Sequence, residues 1–439
     1  MSVGRKEMAD GPVDLALLPM NSVIGDNGEL SIAGVNVLEL VEKYGTPLFI
    51  YDEDELRLRL QEAISAFGPN VAYASKAFLC KAMAELVVEE GLRIDVSTGG
   101  EMAVALAGGI DPSKIVFHGN NKSIRELTEA ISIGVGTIVV DSFDEIERIK
   151  RLAGMLLDSG SQSKSIKILV RVTPGVEAHT HEFIKTGQED TKFGFSLASG
   201  AAMKACEIIK ESKEMVLSGI HFHIGSQIFL TGGFLAAVEA IGPLVNSLGV
   251  KELVIGGGLG VAYVNGEDQL SIAEWAKEVK KGVVASGISS DVEVTAEPGR
   301  SIVAHACITV YQVGTIKKLP GIRNYVAVDG GMSDNPRPVL YGSGYEAFLP
   351  REANAQRPME ARLVGKHCET GDILVFEAHL PSDIEVGDFV ATPVTGAYGY
   401  AMASNYNKVP RPAVVFVSSG VDRLVIRRET TEDLLRLDQ

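Results

Sequence analysis

Between residues 71 and 297 the sequence alternates eight times between a short apolar run and a longer segment with helical periodicity. The eight predicted strands are Val71–Lys76, Arg93–Thr98, Ile115–Gly119, Thr137–Asp141, Lys167–Thr173, Leu217–Gly225, Glu252–Gly258 and Asp291–Glu297. Predicted helices between them include Ser123–Ile133, Asp144–Met155, Gly233–Leu248 and Ile272–Ala285. Eight such units over about 250 residues favour a (β/α)8 TIM barrel, with a doubly wound open sheet as the alternative. In such a barrel the chemistry lies at the carboxyl ends of the strands.

After Arg300 the helical periodicity fades, and β-type runs separated by Gly, Pro and Asp-Gly turns take over. The predicted strands of this part are Ala306–Gly314, Asn324–Val328, Asp372–Phe376, Phe389–Val394 and Pro412–Ser418. They predict an all-β C-terminal domain, followed by a short helix over Thr431–Leu437. The alternating run Leu30–Val35 predicts one more strand, which we expect in the β domain because a closed barrel has no free edge. We therefore predict a barrel domain over 46–300 and a β domain built from 1–45 and 301–439.

Length, charge and cysteine usage limit what the chain can be. A chain of 439 residues exceeds the usual size of a single core. Its net charge of −16 argues against nucleic acids and anionic membranes as partners, since both require a basic surface. No apolar run reaches the length of a membrane span, and the start lacks the apolar core of a signal peptide. The four cysteines, Cys80, Cys206, Cys307 and Cys368, have spacings that suit neither a zinc site nor a disulfide framework. We expect a cytoplasmic location and no metal site.

Lys76 ends the first predicted strand, directly after a run of mostly apolar residues. Burying an ammonium group is costly unless other interactions offset the loss of water. One interpretation is a lysine whose amine extends out of the strand end into water. The other is a lysine that forms a Schiff base with a carbonyl cofactor, since burial favours its neutral, nucleophilic form. The ends of the other strands favour the second interpretation.

Three further strands end in residues that suit such a cofactor. Strand six ends in His221 and His223, strand seven runs into Gly256–Gly260, and strand eight ends at Glu297. A glycine-rich loop can be a mere tight turn, but after strand seven of a barrel its backbone N–H groups often bind phosphate. A phosphate and a carbonyl group together indicate pyridoxal 5′-phosphate. Glu297 could keep the pyridine nitrogen protonated and His223 could lie against the ring, whereas without a cofactor they would be a surface carboxylate and a core histidine.

The C-terminal part offers two further candidates. Arg337 follows the turn residues Asp334–Pro336, and an arginine on a loop can bind a carboxylate in bidentate fashion or simply be solvated. Cys368 lies between His367 and Glu369, where a cysteine is inert unless a cleft exposes it. Within the barrel, the long segment Pro174–Gly194 is rich in His, Glu and Lys, and we expect it to close as a lid.

Eight motifs, taken together in their order and spacing, resemble one known family. They are Tyr73–Ala77, Asp95–Glu101, His118–Ser123, His223–Gln227, Gly256–Gly260, Glu297–Arg300, Cys368–Asp372 and Gly396–Tyr398. From roughly residue 30 to roughly residue 430 the chain resembles the fold-type III, pyridoxal-phosphate-dependent decarboxylases. The chain departs from the familiar pattern at Phe78, where many relatives have Asn, and at Thr370, where Ser is more familiar. Neither change removes a catalytic group.

The resemblance implies specific roles for residues of this chain. It implies catalytic roles for Lys76, Cys368, His223 and Glu297. The residues implied for cofactor binding are Lys76, His223, Ser226, Gly256, Gly257, Gly258, Glu297, Gly299, Arg300 and Tyr398. Those implied for substrate binding are Arg300, Arg337, Tyr341, Glu369 and Tyr398. Cys368, as proton donor, and Glu369 would come from the partner subunit, so the resemblance implies a homodimer with active sites shared across the interface.

The same resemblance implies that a basic amino acid loses a carboxyl group as CO2. The pairing of Glu369 with Arg337 suits a distal end with both an amine and a carboxylate. We therefore expect meso-2,6-diaminopimelate as substrate and L-lysine as product, the last step of lysine biosynthesis. Arginine or ornithine would leave Arg337 unused. An amino-acid racemase would keep a basic residue where this chain has Glu297, and a non-catalytic regulatory homologue would have lost Lys76 or Cys368.

Overall fold

A computed structural model describes residues 10–158, 165–176 and 190–439. The chain divides into two compact units. The β unit comprises the residues up to Arg59, together with Val261–Gln269 and Arg300–Gln439. The barrel unit comprises Leu60–Gly260 and Leu270–Gly299. Most of the segment Pro174–Gly194, and with it the predicted lid, lies outside the described residues.

From residue 10 onward, the N-terminal part of the β unit contains four strands. They are β1 (Ser22–Ile24), β2 (Leu30–Ile32), β3 (Val35–Asn36) and β4 (Leu48–Asp52). The first three form a small antiparallel sheet in the order β1-β2-β3. Helix α1 (Val37–Tyr44) follows, begun by the Asn36 side chain, which accepts a hydrogen bond from the Leu38 N–H. Helix α2 spans Glu53–Phe67.

The described residues of the barrel unit form nine strands, eight of which make a closed parallel ring. They are β5 (Ala72–Ala74), β6 (Arg93–Val96), β7 (Ile115–Phe117), β8 (Thr137–Val140), β9 (Ile166–Thr173), β10 (Phe195–Ser196), β11 (Met215–His221), β12 (Glu252–Val254) and β13 (Glu293–Thr295). The order is β5-β6-β7-β8-β9-β11-β12-β13, with the short β10 beside β9. The ring closes where Ala72 N–H donates to Ala296 O at 3.1 Å and Ala74 N–H to Pro298 O at 3.0 Å. The predicted eight-stranded barrel is therefore confirmed, and all eight predicted strands are present.

In the part of the barrel unit that the structure describes, seven α-helices connect these strands. They are α3 (Lys81–Glu89), α4 (Gly99–Ala107), α5 (Ile124–Ile133), α6 (Phe143–Asp158), α7 (Ala201–Glu211), α8 (Gly232–Leu248) and α9 (Ile272–Ala285). Capping boxes begin α5 and α9, where Ser123 pairs with Glu126 and Ser271 with Glu274. Within the described ranges, every helix is too short or too polar to traverse a lipid bilayer.

The C-terminal part of the β unit adds seven strands and three short helices. The strands are β14 (Cys307–Leu319), β15 (Arg323–Val328), β16 (Met359–Val364), β17 (Ile373–Leu380), β18 (Phe389–Pro393), β19 (Ala413–Ser418) and β20 (Val421–Ile426). The helices are α10 (Arg300–Val303), α11 (Arg337–Tyr341) and α12 (Thr431–Leu435). One sheet runs β17-β16-β15-β14-β4-β19-β20, with β18 on β14. The predicted β domain after the barrel is confirmed.

Some details of the β unit differ from the sequence-based expectation. Strand β4, which falls within the range 46–300, pairs with β14 and β19 in the large sheet. Its five residues are all buried, so local periodicity cannot distinguish it from a barrel strand. The predicted N-terminal strand forms its own sheet with β1 and β3, although its side chains share a hydrophobic core with Leu48 and Val415 of the large sheet. The predicted domain boundaries stay a prediction.

Candidate active site

Lys76 lies at the carboxyl end of the first barrel strand, in the single helical turn Ser75–Ala77. Its neighbours Ser75 and Ala77 are buried, whereas the lysine side chain is exposed. The turn is fixed from within the barrel, because the buried Tyr73 hydroxyl donates a hydrogen bond to Phe78 O at 2.6 Å. This arrangement presents a primary amine at the end of the barrel where catalytic groups collect.

A buried carboxylate, Glu297, lies between two buried histidines. Its Oε1 is 2.8 Å from His118 Nε2 and its Oε2 is 3.0 Å from His221 Nε2. Glu297 follows β13, His118 follows β7, and His221 ends β11, so three strands meet at this point. We call these three residues the carboxylate clamp.

The charges in the clamp depend on one another. Burial alone would raise the pKa of Glu297, but the charges and hydrogen bonds of His118 and His221 outweigh burial and hold that pKa well below its usual range. Burial lowers the pKa of His221 to about 4, so its imidazole is neutral at pH 7. Burial also acts to lower the pKa of His118, but the charges of Asp95 and Glu297 prevail and raise it. Glu297 is therefore ionised, with His118 as its charged partner.

The donor set of the clamp also invites comparison with a metal centre, since its ligand atoms lie within 4.8 Å of one another. Metal binding through His221 Nε2 would move the imidazole proton to Nδ1. Within the described chain, the buried His221 Nδ1 has no hydrogen-bond partner. Metal-bound histidines nearly always donate their second N–H to an acceptor. Hydrogen bonding thus favours His221 as a donor to Glu297.

His223 and the loop after strand seven are connected directly. The Gly257 N–H donates to His223 Nδ1 at 3.2 Å, which places the histidine proton on Nε2. Burial, followed by the positive charge of Lys76, holds the pKa of His223 well below its usual value. His223 is therefore a neutral ring, suited to lie against an aromatic cofactor.

The glycines of this loop are required because backbone approaches backbone. A Cβ on Gly258, whose φ is +111°, would lie 2.2 Å from Gly225 O, and one on Gly257 would lie 2.4 Å from Glu297 O. After strand eight, a Cβ on Gly299 would lie 2.9 Å from Ala74 O. The loops after strands six, seven and eight are thus packed together without side chains between them. Bare backbone of this kind is what a bound phosphate requires.

These residues fit pyridoxal phosphate. The ionised Glu297 keeps lone pairs beyond those that accept from its two histidines, so it can also accept from a protonated ring nitrogen. Lys76 supplies an amine for the aldehyde, and Gly256–Gly258 with Gly299 supply side-chain-free backbone. Ser226, half-buried on the loop after β11, adds a hydroxyl.

The β unit contains a separate cluster of two buried arginines and several tyrosines. Arg337, at the start of α11, is 4% exposed, and its Nη1 donates to Tyr345 Oη at 2.5 Å. Its guanidinium carbon lies 4.1 Å from the ring centroid of Tyr263. Arg300 Nη1 donates to the Tyr263 hydroxyl at 2.6 Å, and its guanidinium lies 4.7 Å from the Tyr398 ring. We call these five residues the arginine–tyrosine cluster.

Arg337 lacks the usual partner of a buried arginine. Among the residues that the structure describes, no carboxylate forms an ion pair with it, and its buried Nε has no hydrogen-bond partner. Tyr341, predicted to bind substrate, ends the same helix and is half-buried. The rings that contact Arg337 are instead those of Tyr263 and Tyr345. A buried cation supported only by neutral groups is suited to bind an anion.

Cys368 and Glu369 lie on the loop between β16 and β17, and both are exposed. The loop is held by Asp372, whose carboxylate accepts from His367 N–H at 2.8 Å and Met332 N–H at 2.7 Å. The Tyr406 hydroxyl donates to Glu369 at 2.6 Å. The thiol and carboxylate thus extend from a fixed loop of the β unit, whereas the other three cysteines are buried.

Sequence reasoning assigned no role to several residues that the structure places in these clusters. In the barrel they are Asp95, whose Oδ1 is 3.8 Å from His118 Nε2, and the buried Arg171, whose Nε is 3.9 Å from Asp141 Oδ1. Asp95 lies near the end of β6, Arg171 lies near the end of β9, and Asp141 directly follows β8, so a survey of polar residues at every strand end could have identified them. Tyr263 and Tyr345 lie in irregular segments of the β unit, where no pattern points to a site.

Comparison with known proteins defines the class. Residues 53–304 match the family model described as pyridoxal-dependent decarboxylase, pyridoxal binding domain. The chain belongs to the pyridoxal-dependent decarboxylases, and its cofactor is pyridoxal 5′-phosphate. Within this class it is 48% identical to diaminopimelate decarboxylase of Mycobacterium tuberculosis, covering 96% of this chain and 97% of the relative. It is 46% identical to diaminopimelate decarboxylase of Bacillus subtilis, with coverages of 94% and 95%.

Solved structures agree with this class. Diaminopimelate decarboxylase from M. jannaschii in co-complex with L-lysine superposes with a TM-score of 0.87 at 31% identity, over 96% of this chain and 98% of that one. The Helicobacter pylori diaminopimelate decarboxylase complexed with L-lysine has a TM-score of 0.84 at 30% identity, with coverages of 92% and 99%.

Proposed function

We propose that this chain is a carboxy-lyase that converts meso-2,6-diaminopimelate into L-lysine and CO2, the last step of lysine biosynthesis. The observation that carries the substrate assignment is the buried Arg337, which no described carboxylate neutralises. A distal carboxylate is the feature that separates diaminopimelate from ornithine, lysine or arginine. Diaminopimelate decarboxylase is also the name of the relatives that are 44–48% identical to this chain.

The barrel residues would bind the cofactor and set its charge. Pyridoxal phosphate, when bound, supplies an aldehyde that reacts with the substrate amine and a protonated ring that accepts the electrons left as CO2 departs. Glu297, held ionised by the clamp, would keep the ring nitrogen protonated. Lys76 would hold the cofactor through its Nζ amine. His223 would lie against the ring, and Ser226 with the glycine loop would surround the phosphate.

Residues of the β unit would hold the substrate and deliver the proton. Arg337 would bind the distal carboxylate in bidentate fashion, and Glu369 would accept from the distal ammonium group. Arg300, Tyr398 and Tyr341 would complete the substrate pocket, with Arg300 and Tyr398 also facing the cofactor. Cys368 Sγ would donate the proton that the α-carbon needs to form the product.

We further propose a homodimer in which Cys368 and Glu369 serve the active site of the partner subunit. Both side chains are exposed on a loop whose backbone is fixed, which suits residues that act on another molecule. Mixing two inactive variants, Lys76→Ala and Cys368→Ala, should restore about a quarter of wild-type activity, because random exchange leaves one intact site in half of the dimers. No recovery after verified subunit exchange would contradict sharing. The same proposal includes a cytoplasmic location.

The test of the proposed activity is CO2 release by the purified protein, supplied with pyridoxal phosphate, from meso-diaminopimelate, L-arginine and L-ornithine. Release from diaminopimelate alone, with L-lysine as product, is the expected result. Release from arginine or ornithine instead would keep the cofactor assignment and overturn the role of Arg337. Absence of release from all three would move the assignment to a racemase or a non-catalytic homologue.

A further inference from the structure

Tyr263 lies in a short segment whose place in the structure differs from its place in the chain. The segment Val261–Gln269 follows the glycine loop of barrel strand seven and precedes α9, yet it belongs to the β unit. Tyr263 is 3% exposed within that unit. The residues that Tyr263 contacts indicate why a tyrosine is buried in this segment.

Tyr263 contacts both arginines of the arginine–tyrosine cluster, each in a different way. Its hydroxyl accepts a hydrogen bond from Arg300 Nη1 at 2.6 Å. Its ring face supports the guanidinium of Arg337 at 4.1 Å. The ring of Tyr345 meets it nearly edge-on, with centroids 5.3 Å apart and planes at 76°. One side chain therefore contacts both cations.

The energetic situation of the two arginines makes this support important. Two guanidinium groups around one ring repel each other, and burial removes the water that would screen them. Stacking on the tyrosine face and a hydrogen bond to its oxygen are favourable but do not neutralise the charge. Contact with the ring face also limits how the Arg337 guanidinium can turn, and a fixed plane is what bidentate binding of a carboxylate needs.

Tyr263 is itself held by a hydrogen-bonded support. Its own N–H donates to Glu267 Oε2 at 2.8 Å. Gln269 Oε1 lies 3.0 Å from the Ala262 N and 2.8 Å from the buried His305 Nε2, so the amide oxygen fixes the backbone just before the tyrosine. These contacts close the segment on itself and against the β unit, which limits the motion of the ring.

We propose that Tyr263 is the positioning residue that makes this enzyme select a substrate with a carboxylate at its distal end. It acts through Arg337, whose guanidinium plane it fixes, and through Arg300, whose position it sets. The inference rests on the proposed function, because it assigns the origin of specificity in the same site. Gln269 and His305 support this role indirectly, because they fix the segment that carries Tyr263.

The test compares Tyr263→Phe and Tyr263→Leu in the holoenzyme. Tyr263→Phe keeps the ring under Arg337 and loses the bond to Arg300, whereas Tyr263→Leu loses both contacts. We expect KM for meso-diaminopimelate to rise about fivefold in the first variant and about fiftyfold in the second, with kcat changed less than about threefold. Thermal unfolding of each variant verifies that it is folded.

Two competitive inhibitors distinguish a loss of Arg337 positioning from a disruption of the whole substrate site. Heptanedioate has the two terminal carboxylates of diaminopimelate without its amines, and 1,5-diaminopentane has two amines without carboxylates. In Tyr263→Leu, Ki for heptanedioate should rise at least about tenfold, while Ki for the diamine should stay within about twofold. Gln269→Leu should also raise Ki for heptanedioate more than Ki for the diamine, but by a smaller factor.

Tyr44→Phe is the matched control, since it removes a tyrosine hydroxyl of the β unit that bonds Asp422, outside the arginine–tyrosine cluster. It should change neither Ki. Equal rises in both inhibition constants, or an unchanged KM in a folded Tyr263→Leu, would overturn the inference and leave Tyr263 a packing residue. Failure of the wild type to release CO2 from diaminopimelate would instead contradict the proposed function, so the two failures are distinguishable.

Discussion

Glu297 in the barrel unit and Arg337 in the β unit are both buried charges at candidate site positions, yet their surroundings are opposite. Glu297 accepts hydrogen bonds from two histidines, at 2.8 Å and 3.0 Å. Arg337 has aromatic rings and a phenol oxygen around it, and no ion pair among the described residues. The first charge is neutralised within the chain, and the second is not.

The difference shows what each region contributes. A charge that the protein has already paired keeps its state whatever binds, which suits a group that must stay ionised beside a cofactor throughout a reaction. A charge left without an opposite partner favours binding of whichever ligand supplies one, which suits selection among substrates. Under the proposed function, Glu297 of the barrel unit would set the charge of the cofactor, and Arg337 of the β unit would select the substrate.

The largest effect is expected from changing the paired charge. Glu297→Gln keeps the shape of the side chain but loses the negative charge that would hold the ring nitrogen protonated. We expect kcat for CO2 release to fall by about 10² to 10³, with KM little changed. Glu252→Gln, which alters a partly buried glutamate of β12 that pairs with Arg93 instead, is the control and should keep nearly full kcat. A kcat within tenfold of wild type for Glu297→Gln would contradict the role of the clamp.

In the absence of cofactor and substrate, removing the Glu297 charge should lower the free energy of unfolding more than removing the Arg337 charge. Glu297→Ala leaves two buried histidines without their acceptor, so the free energy of unfolding should fall by about 3 to 5 kcal/mol. Arg337→Met removes a buried charge that has no ion-pair partner and fills a similar volume, so its effect should stay below about 1 kcal/mol. Urea unfolding of the two apoenzymes measures both values. Equal losses would show that Arg337 is paired after all.

The β unit also contains a buried acid, Asp334, whose state contrasts with that of Glu297. Burial raises the pKa of Asp334 from its ordinary 3.8 to about 8, and its carboxyl group lies 3.1 Å from the Tyr311 hydroxyl. Because the folded state holds this proton more tightly, its contribution to stability is full below pH 3.8 and is lost as pH rises through about 8.

Asp334→Asn should remove this pH dependence. Between about pH 6 and about pH 8 the free energy of unfolding of the wild type should fall relative to that of Asp334→Asn, by about 1 kcal/mol for each pH unit. Urea unfolding of both proteins across this range gives the difference directly, and titrations that the two proteins share cancel. Parallel profiles would mean that Asp334 is already ionised at neutral pH.

The smallest effect is expected from the neutral member of the clamp. The pKa of His221 is lowered to about 4, so at pH 7 it acts as a hydrogen-bond donor without charge. His221→Gln preserves one N–H donor, and CO2 release should stay within about fivefold of wild type. His118→Gln loses the charged partner and should cost more. If the two variants lose activity equally, the division between a charged and a neutral histidine is wrong.

Much of the fold follows from local pattern. Every predicted barrel strand is present because parallel strands buried on both faces give apolar runs that end in turn residues, as in Thr137–Val140. Several strands of the β unit were not predicted, among them β16 and β20. β16 has only two buried residues and β20 has none, and both carry charges such as Glu360 and Arg423, so their sequences resemble surface loops. Their pairing along the large sheet makes them strands.

The candidate site divides in the same way. Lys76, Glu297 and the glycine loop follow from the sequence, because each lies at the end of a predictable strand and has a chemistry of its own. The role of His118 does not follow from the sequence, because it depends on the distance between this histidine and a carboxylate on another strand.

By itself, the sequence determined the eight-stranded barrel, the β-rich C-terminal part and the amine at Lys76, since each depends on residues close together in the chain. Only the tertiary structure decided that Glu297 is shared by histidines from two other strands. It alone decided that Tyr263 contacts both Arg300 and Arg337. Any two of these three residues are at least 37 positions apart in the sequence. The physical reason is that pKa values, ion pairing and stacking depend on distance and burial, and neither is contained in local periodicity.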